Sequence, residues 1–140
     1  MKILIASDGS PYSRAAAQYV AKQAGLLRTP PEVIVMHVHA SLPLATKVSK
    51  KAIESYYREE SLKSLAVAEK ELEKAGIEYT STWCTGEPAE QLARYAAKEG
   101  VDLIVTGTRG QGALAGLALG SVTTKLLALS KVPVLAIPKT

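Results

Sequence analysis

At 140 residues the chain has the size of one domain, about 100–150 residues, and one domain over 1–140 is expected. With 47% apolar and 21% charged residues it is a folding globular chain and not a disordered one. The single Cys84 excludes an internal disulfide and offers no structural zinc site, which points to a reducing, cytoplasmic setting. The opening apolar run reaches Asp8 too early for a signal peptide. The longest uncharged run, 110–124, contains four glycines and falls short of the roughly 18–20 apolar residues of a membrane span.

The 17 basic and 13 acidic residues give a net charge of +4, and its position is informative. Residues 1–102 hold all 13 acids and 13 of the bases, whereas the remaining 38 residues hold Arg109, Lys125, Lys131 and Lys139, no acid, and five of the ten glycines. A local positive excess beside glycines suggests one bound anion, where a diffuse basic chain would suggest nucleic acid or a membrane surface.

Five apolar runs read as strands: Ile3–Ala6, Val33–Val38, Ile77–Trp83, Leu103–Thr106 and Val132–Ile137. Their β-branched and leucine-rich character, with little alternation, fits strands buried on both faces of a parallel sheet. Between the first two, Ala15, Ala16, Tyr19, Val20 and Gln23 follow Ser13 in a helical pattern that stops near Gly25. Residues 40–52 fit no element and read as a connector before the next helix, with a lid over a site as the functional alternative. A long helix then carries Ile53, Tyr57, Leu62, Leu65, Ala68, Leu72 and Ala75 and ends at Gly76; a third runs from Pro88 to Gly100, and a fourth from Ser121 to Leu129. The alternation β-α-β-α-β-α-β-α-β calls for a doubly wound α/β sheet with helices on both faces, and ligands of such sheets sit beyond the carboxyl ends of the strands.

At the end of the fourth strand stands Thr106-Gly107-Thr108-Arg109-Gly110-Gln111-Gly112, and later Gly120-Ser121-Val122-Thr123 opens the last helix. Glycines let backbone amides converge on an anion, and a helix N-terminus adds unpaired N–H groups, so phosphate is the natural guest. No Gly precedes a Lys, which rules out a P-loop, and the Gly110-Gln111-Gly112 run lacks the downstream acid of a dinucleotide fingerprint. Other constellations are weaker. His37 and His39 share a strand face but have no third metal ligand, Cys84 has no nearby base, and Ser7, Ser10 and Ser13 have no nucleophile elbow or histidine partner. Tyr56 and Tyr57 lie in a helical pattern and read as packing residues, not as a stacking platform for nucleic acid.

The spacing Gly107-x2-Gly110-x9-Gly120-Ser121, with Ile3–Ser10, Met36-His37-Val38, Gly86-Glu87-Pro88-Ala89, Val101–Gly110 and Val132–Leu135, resembles the universal stress protein family over essentially the whole chain, in its ATP-binding branch. The resemblance implies a five-stranded parallel sheet of order 3-2-1-4-5, an adenine-nucleotide-hydrolase-like fold. It implies that Ala6, Ser7 and Asp8 lie beside adenine and ribose, with Asp8 alternatively capping the first helix, and that the Val38 backbone reads the adenine edge. The phosphate cradle would be Gly107, Gly110, Gly112, Gly120, Ser121, Val122 and Thr123, within a loop that also carries Thr106, Thr108, Arg109 and Gln111; Arg109 either clamps a phosphate or points to solvent. Lys125, one turn into the last helix, would act at longer range. The sequence departs from the family's usual pattern at Ala6 and in the small, Gly-containing stretch 113–119. The function implied is that of an ATP-binding stress-response regulator, with Mg on the nucleotide, at most slow hydrolysis, no nucleic-acid or membrane partner, and a homodimer formed through Val132–Ile137. The alternatives are a nucleotide-free regulatory scaffold and an enzyme acting on adenine nucleotides.

Overall fold

Short β-branched runs separated by amphipathic segments bury their apolar side chains by stacking helices on a sheet, and the computed structural model, which describes residues 1–41, 48–112 and 116–139, takes that form. The elements are β1 (Lys2–Ala6), α1 (Pro11–Ala24), β2 (Glu32–His39), α2 (Lys50–Lys74), β3 (Tyr79–Thr85), α3 (Pro88–Lys98), β4 (Leu103–Gly107), α4 (Ser121–Leu129) and β5 (Val134–Ile137). All pairings are parallel and the order is β3-β2-β1-β4-β5, as the resemblance implied. Ile3, Ile5, Val33 and Val35 face α1 and α2 through Ala16, Val20, Leu65 and Leu72. On the opposite face Leu4, Ile34, Met36 and Val38 meet Ala89, Leu92 and Ala96 of α3 and Leu126 of α4. The chain leaves β1 toward β2 on one side and returns to β4 on the other, so the carboxyl ends of β1 and β4 flank the switch point where such sheets open a crevice. Among the described residues no helix is long and apolar enough to cross a membrane.

Several local expectations are corrected. α1 starts at Pro11 because Ser10, not Ser13 or Asp8, is its N-cap, its side chain accepting from the Ser13 amide at 3.3 Å. Its buried stripe is built of Ala15, Ala16, Ala17 and Val20, and Tyr19 lies outside it. α2 starts at Lys50, capped by Ser49 onto the Ala52 amide, so 50–52 belong to its first turn; 42–47 of the expected connector or lid lie outside the described residues. Its buried stripe uses Ser61 where Leu62 was expected, and Leu62 is 49% exposed. β3 starts two residues late because Ile77 closes the turn after α2, its amide on the Leu72 carbonyl, with Gly76 at positive φ. It is an edge strand, so its side chains are exposed or half-buried, not buried on both faces. β5 starts at Val134 because the Val132 amide donates to Ser130 Oγ and Pro133 has no amide to give.

One buried polar tie holds the ends of β1 and β2 together. The Ser7 amide donates to the Met36 carbonyl at 2.9 Å, and the Ser7 carbonyl accepts from His37 Nδ1 at 2.7 Å. With Nδ1 donating, Nε2 of the neutral ring is an acceptor, buried without a partner among the described residues. Burial pushes the imidazole below its usual range, aided by His39, and outweighs the Ser7 carbonyl and Asp8, which favour the cation. The stability lent by neutral His37 is therefore complete above its unfolded value of 6.5 and is lost progressively as the pH falls from there through the lowered folded value, because the unfolded chain takes up the proton first. Urea unfolding should show this as a loss of at most about 1.4 kcal/mol per pH unit just below that value. His37→Gln, which keeps a donor for Ser7, should remove that part of the slope; an unchanged slope would assign the proton elsewhere.

Candidate functional site

A cleft of about 270 Å3 opens at the carboxyl ends of the central strands. β1 and its turn contribute Ala6, Ser7 and Asp8, and β2 contributes Val38. β4 and its turn contribute Thr106, Gly107, Arg109, Gly110, Gln111 and Gly112, and the start of α4 contributes Gly120, Ser121, Val122 and Thr123. Thr108 is not part of the wall: its amide donates to the Ile137 carbonyl at 2.9 Å and its carbonyl accepts from the Gly120 amide at 2.7 Å, so it ties the loop to β5 and α4. The wall also includes Met36, His37, Ser13, Leu117, Pro88 and Leu92, which sequence reasoning did not single out as site residues. For Pro88 and Leu92 the signal was present, since positions i and i+4 at the start of a helix that follows a strand share one face. Residues 113–115 of the small-residue stretch lie outside the described residues.

Asp8 is the polar hinge of the cleft. Oδ1 accepts from the Ser10 amide at 2.9 Å and from Ser13 Oγ at 2.8 Å, while Oδ2 accepts from the Gln111 amide at 2.8 Å. The Gln111 side chain returns a bond to the Asp8 carbonyl at 3.5 Å. Three of roughly four acceptor positions of the carboxylate are thus spent inside the protein, and the capping of α1 is done by Ser10.

The glycines have distinct physical reasons. A Cβ on Gly110 would land on Asp8 Oδ2, and one on Gly107 would stand 2.5 Å from Tyr12 Cβ. A Cβ on Gly120 would stand 3.2 Å from Arg109 Cα. These positions let the β4–α4 loop close against its own neighbours. Gly112 meets nothing within 4 Å, and its requirement is the positive φ of 69°.

Arg109 is half-buried: Nη1 donates to the Tyr12 hydroxyl at 3.4 Å, and among the described residues it pairs with no acid and Nε is buried without a partner. Lys125 does not line the cleft and pairs with Glu87 at 3.7 Å. The N-terminus of α4 differs from the other three. Ser10, Ser49 and Glu87 cap α1, α2 and α3 through their side chains, whereas α4 has Gly120 as its N-cap and no side-chain cap. Thr123 Oγ1 instead donates back to the Gly107 carbonyl at 2.8 Å and fixes this turn against β4. The result is an uncapped, electropositive helix end at one side of the cleft and an apolar wall of Ala6, Met36, Val38 and Leu92 at another, an arrangement that can hold an anionic group and a flat apolar ring together.

The remaining constellations serve packing. The His37 and His39 rings lie 5.9 Å apart with each Nδ1 on a backbone carbonyl, of Ser7 and Ala40, and among the described residues no three His, Cys, Asp or Glu side chains gather for a metal. Tyr57 and Tyr56 pack on His39 at ring distances of 4.9 and 5.9 Å. Cys84 is half-buried against the α3 face of the sheet, and burial pushes its thiol up.

Residues 1–138 match the sequence model of the universal stress protein family. The universal stress protein YxiE of Bacillus subtilis is 32% identical over 149 aligned positions, covering 97% of each chain. The solved structure of MJ0577, a universal stress protein of Methanocaldococcus jannaschii, superposes with a TM-score of 0.85 at 29% identity over 99% of this chain and 96% of that one. A universal stress protein family member from Arabidopsis thaliana, solved with AMP bound, shares the fold at a TM-score of 0.72 and 15% identity, over 100% of this chain and 92% of that one. Fold, strand order and whole-length sequence match agree: the chain belongs to the universal stress protein family.

Proposed function

We propose that the cleft binds ATP, carried with Mg, and that the protein is a cytoplasmic stress-response regulator whose conformation or assembly follows nucleotide occupancy. The observation that carries this reading is the uncapped start of α4 beside the glycine loop, both facing one cleft at the switch point of the sheet. The phosphates would lie against Gly107, Gly110, Gly112 and Gly120 and the first amides of α4, Ser121, Val122 and Thr123. Arg109 would release Tyr12 to add charge, since its Nε has no partner to lose. The base would lie between Val38, Met36 and Leu92, with Ala6, Ser7 and Asp8 at the ribose and one acceptor position of Asp8 left for a hydroxyl. The Arabidopsis protein, which holds AMP, supports an adenine nucleotide as the class of ligand.

The same geometry supports slow hydrolysis at most. Asp8, His37 and Arg109 are the titratable groups among the described lining residues; the Asp8 carboxylate is engaged on both oxygens, and His37 is tied to Ser7 through one nitrogen and buried at the other. Neither is placed as a general base for attack on a terminal phosphate. β5 is an edge strand of four residues, and a second copy pairing along it would cover Val134 and Leu135 together with the exposed Leu127 and Leu129 of α4. Through the Thr108 amide on Ile137 the glycine loop touches that edge directly, which gives bound nucleotide a route to assembly.

Isothermal calorimetry with Mg-ATP should show saturable binding at micromolar to submillimolar concentration, and no binding up to millimolar would favour a nucleotide-free scaffold. Gly110→Ala should weaken binding by about tenfold or more, because its Cβ displaces the Asp8 carboxylate. Gly25→Ala, where an added Cβ meets only the Lys22 carbonyl at 3.9 Å, should leave affinity unchanged. Light scattering at micromolar protein should give twice the chain mass, and a monomer would overturn the β5 pairing.

A further inference from the structure

α2 turns two of its acids and three of its lysines to different neighbours. Glu69 accepts from Ser81 at 2.7 Å and Glu73 from the Tyr79 hydroxyl at 2.5 Å, so both carboxylates are drawn to β3. Lys63, Lys70 and Lys74 lie on the side of α1, where with Arg14 they line an open groove of about 560 Å3 that shares no residue with the cleft. At its base Glu71, 11% exposed, is held by Gln18 at 3.2 Å, Lys74 at 3.3 Å and Arg14 at 3.7 Å. Burial alone would raise its carboxyl; the hydrogen bonds from Gln18 and Lys74 and the two positive charges outweigh burial and hold it below the usual carboxylate range.

The groove therefore sets four basic side chains against one carboxylate, a net of three positive charges on one strip of a chain whose total is +4. Among the described residues Lys63 has only the exposed Glu60 at 3.5 Å, a pair of little energetic weight, and Lys70 makes no ion pair. Between these lysines the half-buried Ala66 and Val67 form an apolar floor. Lys63, Val67, Lys70 and Lys74 follow the three- and four-residue spacing of one helical stripe, which places the three ammonium groups at intervals of about 10 and 6 Å along the axis. A neighbouring helix with carboxylates at the same spacing and small apolar residues between them would match both rim and floor. A nucleic-acid backbone would match the rim alone, leaving the floor against phosphate, and no aromatic side chain lines the groove for a base to stack on.

We propose that the groove between α1 and α2 docks an acidic amphipathic helix of a partner protein, its carboxylates on Lys63, Lys70 and Arg14 and its small apolar side chains on Ala66 and Val67. The test uses the full chain and a fluorescein-labelled helical peptide with Glu at positions i, i+4, i+7 and i+11 around an Ala/Leu stripe. Anisotropy should show saturable micromolar binding at low salt that weakens as salt rises. The double reversal Lys63→Glu/Lys70→Glu should weaken it by about tenfold or more. The reversal Lys50→Glu/Lys51→Glu, at exposed positions of the same helix outside the groove, should leave it within about twofold. Circular dichroism should show both variants folded, and Mg-ATP affinity serves as a second check because neither pair lines the cleft. Absence of saturable binding at low salt, equal weakening by both reversals, equal binding of a peptide with the same charge and a scrambled stripe, or tighter binding of a single-stranded oligonucleotide would each overturn the proposal.

Discussion

The carboxylate of Asp8 joins two loops separated by about a hundred positions in the chain. On one oxygen it collects the Ser10 amide and the Ser13 hydroxyl, which set the start of α1; on the other it collects the Gln111 amide, which sets the turn after β4. Charge-assisted bonds of this kind are shorter and stronger than neutral ones, and here they hold the two strand ends that flank the switch point. Gly110 is the counterpart of the same constraint, because the oxygen occupies the place where any other residue would put its Cβ. Without the Asp8 carboxylate the turn after β4 would lose its charge-assisted tie to the end of β1, one of the bonds that set the width of the cleft.

The glycine pattern therefore acts one step earlier than direct contact with an anion. Gly107 makes room for Tyr12, Gly110 for Asp8, and Gly120 for the backbone of Arg109. Once the loop is folded down in this way, its amides and the uncapped start of α4 come together without a side chain between them. Thr123, reaching back to the Gly107 carbonyl, and Thr108, bonded to both Gly120 and Ile137, lock the loop to α4 and β5. An anion site made of neutral amides needs this rigidity more than it needs charge, since amides held in place have no reorganisation cost on binding.

Much of this was legible in the sequence, and the parts that were not share a cause. The interior strands are apolar, β-branched and leucine-rich runs, and their order and neighbours followed from alternation with helices together with the family pattern. β3 was placed two residues early because Ile77 is apolar for another reason: it packs against the core at the end of a helix turn. Leu62 was put in the buried stripe and Ser61 left out, because hydropathy ranks leucine above serine, whereas the structure buries Ser61 completely and leaves Leu62 half exposed. The cleft residues contributed by β1, β4 and α4 were named by the family resemblance, with glycine spacing and the strand ends pointing to the same place. Pro88 and Leu92 share one face of α3 by their i, i+4 spacing, but that this face meets the cleft depends on how α3 lies over the sheet, as the place of Ser13 depends on α1.

Charge shows the same limit of linear reading. Counted along the chain, residues 1–102 are neutral and the glycine-rich end is positive. In space the most acidic contribution to the cleft is Asp8, brought into the acid-free segment from the other end of the chain, and Lys125 leaves that segment to pair with Glu87. The neutral part, meanwhile, separates its charges across α2, with Glu69 and Glu73 bonded toward β3 and Lys63, Lys70 and Lys74 gathered on the α1 side. A sum of zero along a helix is compatible with a strong dipole across it, because residues three and four apart share a side and those two apart do not. The cleft works with little charge and fixed amides, whereas the strip of net positive charge lies in the half of the chain where the count was zero.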